Sequence, residues 1–299
     1  MDYFGIIKKA FKINLKNKFL WIFGILAGGA AGFNGMNGNF GSPSSNSTWS
    51  DMSKKFADFD ITAFWADHGA TIIFLTVLFT VLAIIFFVLN LTSQGALIGS
   101  VEKIEADEKV DFSKGFSIGW KNFWRVWALN ITILLAILLG LCLLVIPTCL
   151  LVIAGAYVSA TVIGILMFVV NLAFWIVISF ISPYALRIVI LRKLTIFQSL
   201  RQALHFVRDN LAEVVVIYLL LAAIGIAVGL GVAIAAVIII GLLFAIGYGL
   251  FLASLTAAVF YGLIVAFILV LAIIAFSGAY SSFQSTVLTL TYLKLVNRN

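Results

Sequence analysis

"NKFLWIFGILAGGAAGFNG", residues 17–35, follows a segment carrying Lys8, Lys9, Lys12 and Lys16. Cations, a short apolar run and then small residues fit a cleavable export signal. They fit the first span of a multi-pass membrane protein equally well, and the rest of the chain decides between the two.

Of the 299 residues, 63% are hydrophobic and only 10% charged, where soluble domains carry about 25% charged residues. Mean hydropathy is +1.17. From Val126 to Leu186, and again from Val214 to Leu293, there is no Asp, Glu, Lys, Arg or His. A helix needs roughly 20 apolar residues to cross the hydrocarbon core, so each stretch has room for two spans, and the second conceivably for three. Further apolar runs cover Phe19–Phe33 and Thr71–Val101. No segment alternates as a transmembrane barrel strand must. These features define an all-α integral membrane protein. Cys142 and Cys149, seven apart on one helix, lie about 10 Å from one another, too far for a disulfide.

The charges orient the chain. Of nineteen Lys and Arg residues, all but Lys54 and Lys55 fall before the first span, on alternate connections, or at the C-terminus. They are Lys8, Lys9, Lys12, Lys16 and Lys18; then Lys103, Lys109, Lys114, Lys121 and Arg125; then Arg187, Arg192, Lys193, Arg201 and Arg208; and finally Lys294 and Arg298. This is the positive-inside pattern. It predicts both termini in the cytoplasm, an even number of spans with six the economical count, and a bacterial or archaeal cytoplasmic membrane as the location. The basic balance therefore has a topological origin, and nucleic acid is not an expected partner.

Three segments align on an asparagine: "FGIIKKAFKINLKNKFLWIFGIL" from Phe4, "FSKGFSIGWKNFWRVWALNIT" from Phe112 and "FQSLRQALHFVRDNLAEVVVIYLL" from Phe197. Asn17, Asn122 and Asn210 share the register, as do the small residues Ala10, Gly115 and Ala203. On a helical wheel Phe4, Ile7, Ala10, Phe11 and Leu15 occupy one arc, opposite Lys8, Lys9, Lys12 and Lys16. Phe197, Leu200, Ala203, Leu204 and Val207 do the same against Arg201, Gln202, His205 and Asp209. Each segment reads as an amphipathic helix in the membrane interface, its cations toward anionic headgroups, or as one packed on other protein elements. Trp21, Trp120, Trp124 and Trp127 stand where interfacial anchors belong. The expected unit is an interfacial helix followed by a transmembrane hairpin, repeated at about 1–104, 105–192 and 193–299 within a single membrane domain. Since the later copies start after membrane spans, the first copy is expected to stay rather than be cleaved. All three would enter from one side, about an axis along the membrane normal.

Residues 34–68 form the one sizeable polar stretch, rich in Gly, Asn and Ser, and are expected as a flexible external loop. Pro147 is expected to kink its span. Gly241, Gly247 and Gly249 mark the expected turn in the last apolar stretch.

Chemistry is sparse. His68 and His205 fall on opposite sides of the membrane, so no two-histidine metal site is expected. There is no phosphate-binding loop, nucleophile elbow or zinc-protease motif. No enzyme activity, metal or cofactor is expected. Arg125, Arg187 and Glu213 fall at predicted span boundaries, where long side chains can snorkel. The uncharged polar residues concentrate in the inner halves of the spans. Their ordinary role is hydrogen bonding between helices; the functional alternative is a polar pocket facing the cytoplasm, formed by Asn90, Gln94, Asn130, Asn171, Ser182 and Gln284.

Taken together, "IIKKAFKINLKNKFLWIFGIL" from Ile6, "FSKGFSIGWKNFWRV" from Phe112 and "SPYALRIVILRKLTIFQSLRQALHFVRDNL" from Ser182 resemble a group of bacterial six-helix proteins. These are similar to the membrane domain attached to some glycerophosphoryl diester phosphodiesterases. The resemblance implies fold and membrane location; the hydrolase residues of fused members have no counterpart here. The expected role is a scaffold or regulator that binds anionic lipid headgroups, or a partner protein, through Lys8, Lys12, Lys16, Lys114, Lys121, Arg201 and Arg208. A passive carrier of a small or amphiphilic molecule is the alternative, and a lipid-modifying enzyme a remote one.

Overall fold

The computed structural model describes residues 1–34 and 61–298. Among them it contains eight α-helices: α1 (Tyr3–Lys16), α2 (Phe19–Asn34), α3 (Ile61–Glu105), α4 (Phe112–Ile153), α5 (Tyr157–Arg192), α6 (Ile196–Asp209), α7 (Leu211–Ala253) and α8 (Leu255–Val296). Helices α3, α4, α5, α7 and α8 are long and apolar enough to cross a membrane. Helix α2 has 16 residues, about 24 Å at 1.5 Å per residue, short of the usual spanning length.

Local chemistry sets the short helices. Asp2 caps α1, accepting from the Gly5 amide at 2.8 Å. Thr195 and Gln198 form a capping box on α6, whose side-chain oxygens accept from two of the backbone donors that a helix start leaves unpaired. Asn17 and Asn210 end these helices, and each donates its Nδ2 to the carbonyl four residues back, Ile13 and Phe206, at 3.0 Å. Asn122 makes the same bond to Ile118 at 3.0 Å, yet α4 runs straight through it. The second of the three aligned segments is thus the first part of a 42-residue helix, not a separate one. Gly115 and Gly119 explain this: both are buried, and a Cβ on Gly119 would overlap the Thr92 carbonyl of α3. The segment lies flush against α3, and that contact holds it on the helix axis.

The three short segments have a common mode of docking. Helix α1 packs on α8, the start of α4 on α3, and α6 on α5. Helices α3, α5 and α8 touch one another at the centre, with α2 between α3 and α8, and α4 between α3 and α5. The seam between α5 and α7 is filled by α6 and by the edge-to-face pair Phe180–Tyr218, centroids 4.9 Å apart. Small residues permit the closest helix approaches, as membrane interfaces favour. A Cβ on Gly24 of α2 would overlap the Gly278 carbonyl of α8, and one on Gly28 would stand 2.7 Å from Ser281 Cβ.

The buried core clusters lie at the end of the bundle where α1 and α6 lie. One cluster joins Ile6, Ala10, Leu20, Phe23, Leu97, Ile217 and Val287; another joins Leu129, Tyr184, Ile188, Ala203 and Val214. The opposite halves of the long helices expose apolar residues such as Phe79, Leu139, Val158, Ile238 and Phe267. Ionic links tie the core end: Lys9 to Glu105 at 2.6 Å, Arg298 to Glu213 at 3.6 Å, and Glu108 to both Lys103 and Lys114 at 3.1 and 3.2 Å.

Two local expectations change. Helix α3 begins at Ile61, so the end of the expected 34–68 loop is helical; residues 35–60 lie outside those described. The turn between α7 and α8 falls at Ser254, beyond Gly241, Gly247 and Gly249, all three of which are helical. Pro147 lies within α4 and Pro183 within α5.

Candidate functional site

Helix α1 is divided lengthwise into three sectors. Ile6, Ala10, Ile13 and Asn14 are buried against the bundle. Phe4, Phe11 and Leu15 point outward, Phe4 with 79% of its surface exposed. Lys8, Lys9, Lys12 and Lys16 fill the remaining, exposed arc. At 100° per residue the sectors follow in the order protein, apolar, basic. Helix α6 repeats that order: Ser199, Ala203 and Phe206 inward, exposed Phe197 and Leu204 next, then exposed Arg201 and Arg208. The first turns of α4 do likewise, with Gly115, Gly119 and Asn122 buried, Phe116, Trp120 and Trp124 beside them, and exposed Lys114, Lys121 and Arg125 completing the circle.

The aromatic sector of α4 is a ladder of rings. Phe23 of α2 stacks on Phe112 with centroids 5.0 Å apart, and contacts of 5.3–6.3 Å continue through Phe116, Trp120, Phe123 and Trp124. Trp21 stands at the α1–α2 corner, where its indole N–H donates to the Asn14 carbonyl at 3.0 Å. Of the predicted headgroup residues, Lys114 is already drawn to Glu108. Lys8, Lys12, Lys16, Lys121, Arg201 and Arg208 have no carboxylate within 4.0 Å among the described residues.

Of the six residues predicted to share a polar pocket, four come together. Gln94, Asn130, Ser182 and Gln284 line a cavity of about 280 Å³ between α3, α4, α5 and α8, with Ser281, Ser285 and Arg187. The other two lie elsewhere, each bonded across a helix pair. Asn90 donates to the Leu26 and Ala27 carbonyls of α2 at 2.8 and 3.0 Å, and accepts from Gln94 Nε2 at 2.8 Å. Asn171 donates to the Gly140 carbonyl at 2.7 Å, joining α5 to α4.

Arg187 is the residue that pattern reading misplaced. It does not snorkel; it is 3% exposed. Its Nη1 donates to the Pro183 carbonyl at 2.6 Å, Nη2 to the Ser285 carbonyl at 3.0 Å, and Nε to Thr289 Oγ1 at 3.2 Å. Among the described residues no carboxylate lies within 4.0 Å of it. The sequence signal available was its position five residues inside the end of α5, within the stretch "SPYALRI" that otherwise carries no charge.

Among the described residues no group of three or more His, Cys, Asp or Glu could hold a metal ion. A profile described as "Family of unknown function (DUF7544)" matches residues 18–295. No curated protein and no solved structure matches the chain, and nothing links it to the membrane domain of glycerophosphoryl diester phosphodiesterases.

Proposed function

The chain belongs to the DUF7544 family of unknown function, and we propose that it is a non-enzymatic membrane scaffold that gathers anionic lipid headgroups at its basic end. On this reading α2 is a sixth, short span, and the chain comprises three units, each a sector-divided segment followed by a hairpin. The basic end faces the cytoplasm of a bacterium or archaeon, because cations are retained on that side during insertion.

The observation that carries the reading is the common three-sector design of α1, α6 and the start of α4. A helix that only packed on protein would need two faces, one buried and one polar. These segments add an exposed apolar arc between the two, which suits acyl chains, and set cations directly beside it, at headgroup level. Each juxtamembrane cation near an anionic surface adds roughly 1 kcal/mol of attraction.

The test is to extract the protein with its surrounding lipid in polymer discs and quantify the lipids retained. Replacing Lys8, Lys12, Lys16, Arg201 and Arg208 by Gln should lower the anionic share relative to the bulk membrane. An unchanged lipid complement in that variant would refute the scaffold role. A passive carrier is the second reading, favoured by the cavity around Gln94, Asn130, Ser182 and Gln284; it requires flux of a solute or amphiphile across vesicles holding the purified protein.

A further inference from the structure

The cavity between α3, α4, α5 and α8 contains a cation whose charge the described chain leaves uncompensated. A guanidinium carries five N–H donors; three from Arg187 reach protein oxygens, and all three acceptors are neutral. Within electrostatic reach the titratable groups are the phenols of Tyr184 and Tyr218, neutral at pH 7. Removing a cation from water without a counter-charge costs several kcal/mol, and an ionisable residue at membrane depth marks a functional site by default. A purely structural staple between α5 and α8 would need only neutral donors, such as the Asn and Thr side chains that join helices elsewhere in this bundle.

The other polar groups in the wall match an anion in the same place. Gln94, Asn130 and Gln284 each give one amide N–H to a protein oxygen, at Asn90, Val126 and Tyr280, and each NH2 group has a second N–H to offer; Ser182, Ser281 and Ser285 add hydroxyls. A carboxylate ligand set for a metal cation is missing from the described wall. The volume, about 280 Å³, is at the lower limit of small-molecule sites: enough for a headgroup or a small oxyanion, too little for a whole lipid.

We propose that this cavity is a site for a single phosphate-bearing anion, with the Arg187 guanidinium as its counter-charge and the amides of Asn130, Gln94 and Gln284 as its orienting donors. The phosphate belongs either to a lipid headgroup seated from the surrounding bilayer or to a soluble ion. The site is separate from the exposed lysines of α1 and arginines of α6, so it can stand or fall without the scaffold reading.

The test uses the full chain purified in a neutral maltoside detergent and titrated calorimetrically with dioctanoyl phosphatidylglycerol and, separately, with inorganic phosphate. One equivalent of binding is expected, weakened at least tenfold in Arg187→Gln and partly retained in Arg187→Lys. Saturation by the lipid alone assigns a headgroup; saturation by inorganic phosphate assigns a soluble oxyanion. Dioctanoyl phosphatidylcholine, whose phosphate is masked by its own cation, should compete poorly. If Arg187→Gln does not fold, Asn130→Leu combined with Gln284→Leu replaces it, with the same weakening expected. Absence of stoichiometric binding by both probes, or wild-type affinity in folded Arg187→Gln or in the double variant, overturns the proposal.

Discussion

Ser282 Oγ donates to Asn14 Oδ1 at 2.7 Å, and Asn14 Nδ2 in turn donates to the Ala279 carbonyl at 2.9 Å. Both residues are buried, so this pair joins the first and last helices in a place that water does not reach. Interhelical pairs of this kind in membranes couple by about 0.6–1.7 kcal/mol. A double-mutant cycle of Asn14→Ala and Ser282→Ala, read by denaturation in mixed micelles, should return a coupling in that range. Strictly additive losses would mean that the bond contributes nothing beyond its backbone partners.

Two glycine contacts should be intolerant of volume. Gly24 lies against the Gly278 carbonyl and Gly119 against the Thr92 carbonyl, backbone atoms that cannot rotate away. Gly119→Val or Gly24→Val should destabilise by about 1–3 kcal/mol, the ordinary cost of overpacking. Gly229→Val on the exposed part of α7, where an added Cβ meets nothing within 4 Å, should be near neutral. Equal melting temperatures for all three variants would contradict the packing described.

Asn90 fastens α2 to α3 through the Leu26 and Ala27 carbonyls, and its Oδ1 accepts from Gln94 of the cavity wall. Asn90→Leu should lower stability by about 1–2 kcal/mol, as the loss of a partly buried hydrogen bond does, read by denaturation in mixed micelles. A variant as stable as the wild type would show that this fastening contributes nothing.

Glu108 supplies a pH dependence at the α3–α4 turn. Hydrogen bonds from Lys103, then Lys114, hold its carboxyl below the usual glutamate range. A carboxylate with a lowered folded-state value stabilises the turn above the ordinary range, and that contribution vanishes as acidification passes through the lowered value. Carbon-detected NMR of the Glu108 carboxyl should show the depressed midpoint. Lys103→Met with Lys114→Met should raise it toward the value of a free glutamate; an unmoved midpoint would show that the lysines do not set it.

Much of the architecture was readable because it is periodic. The uncharged runs mark the long helices, and the arcs of Phe4, Phe11 and Leu15 against Lys8, Lys12 and Lys16 mark α1. Wheel geometry could not divide the apolar arc into a part facing protein and a part facing outward; that division depends on which helix docks there. The same blindness hid Arg187. Counting from the end of its helix suggested reach to the surface, but α8 covers that route and the guanidinium turns to Ser285 and Thr289 instead. The continuity of α4 through Asn122 is not legible in the sequence for a related reason. The asparagine makes its local bond in all three segments, and only the long-range contact of Gly119 with Thr92 decides whether the helix bends. Gly241, Gly247 and Gly249 do not mark the turn, because membrane helices admit glycine in their interiors; an added Cβ on Gly241 or Gly249 would meet nothing within 4 Å.

The link between Asn14 and Ser282 spans 268 positions of sequence. At a translation rate of roughly 5–20 residues per second, α1 leaves the ribosome some tens of seconds before the helix that covers its inner face. During that interval its lysines and exposed phenylalanines can rest on the lipid surface, while the Asn14 side chain lacks both of its partners, Ala279 and Ser282. Closure of the bundle is therefore the last act of its biogenesis, and a chain truncated before α8 would leave this surface open to chaperones and proteases of the membrane.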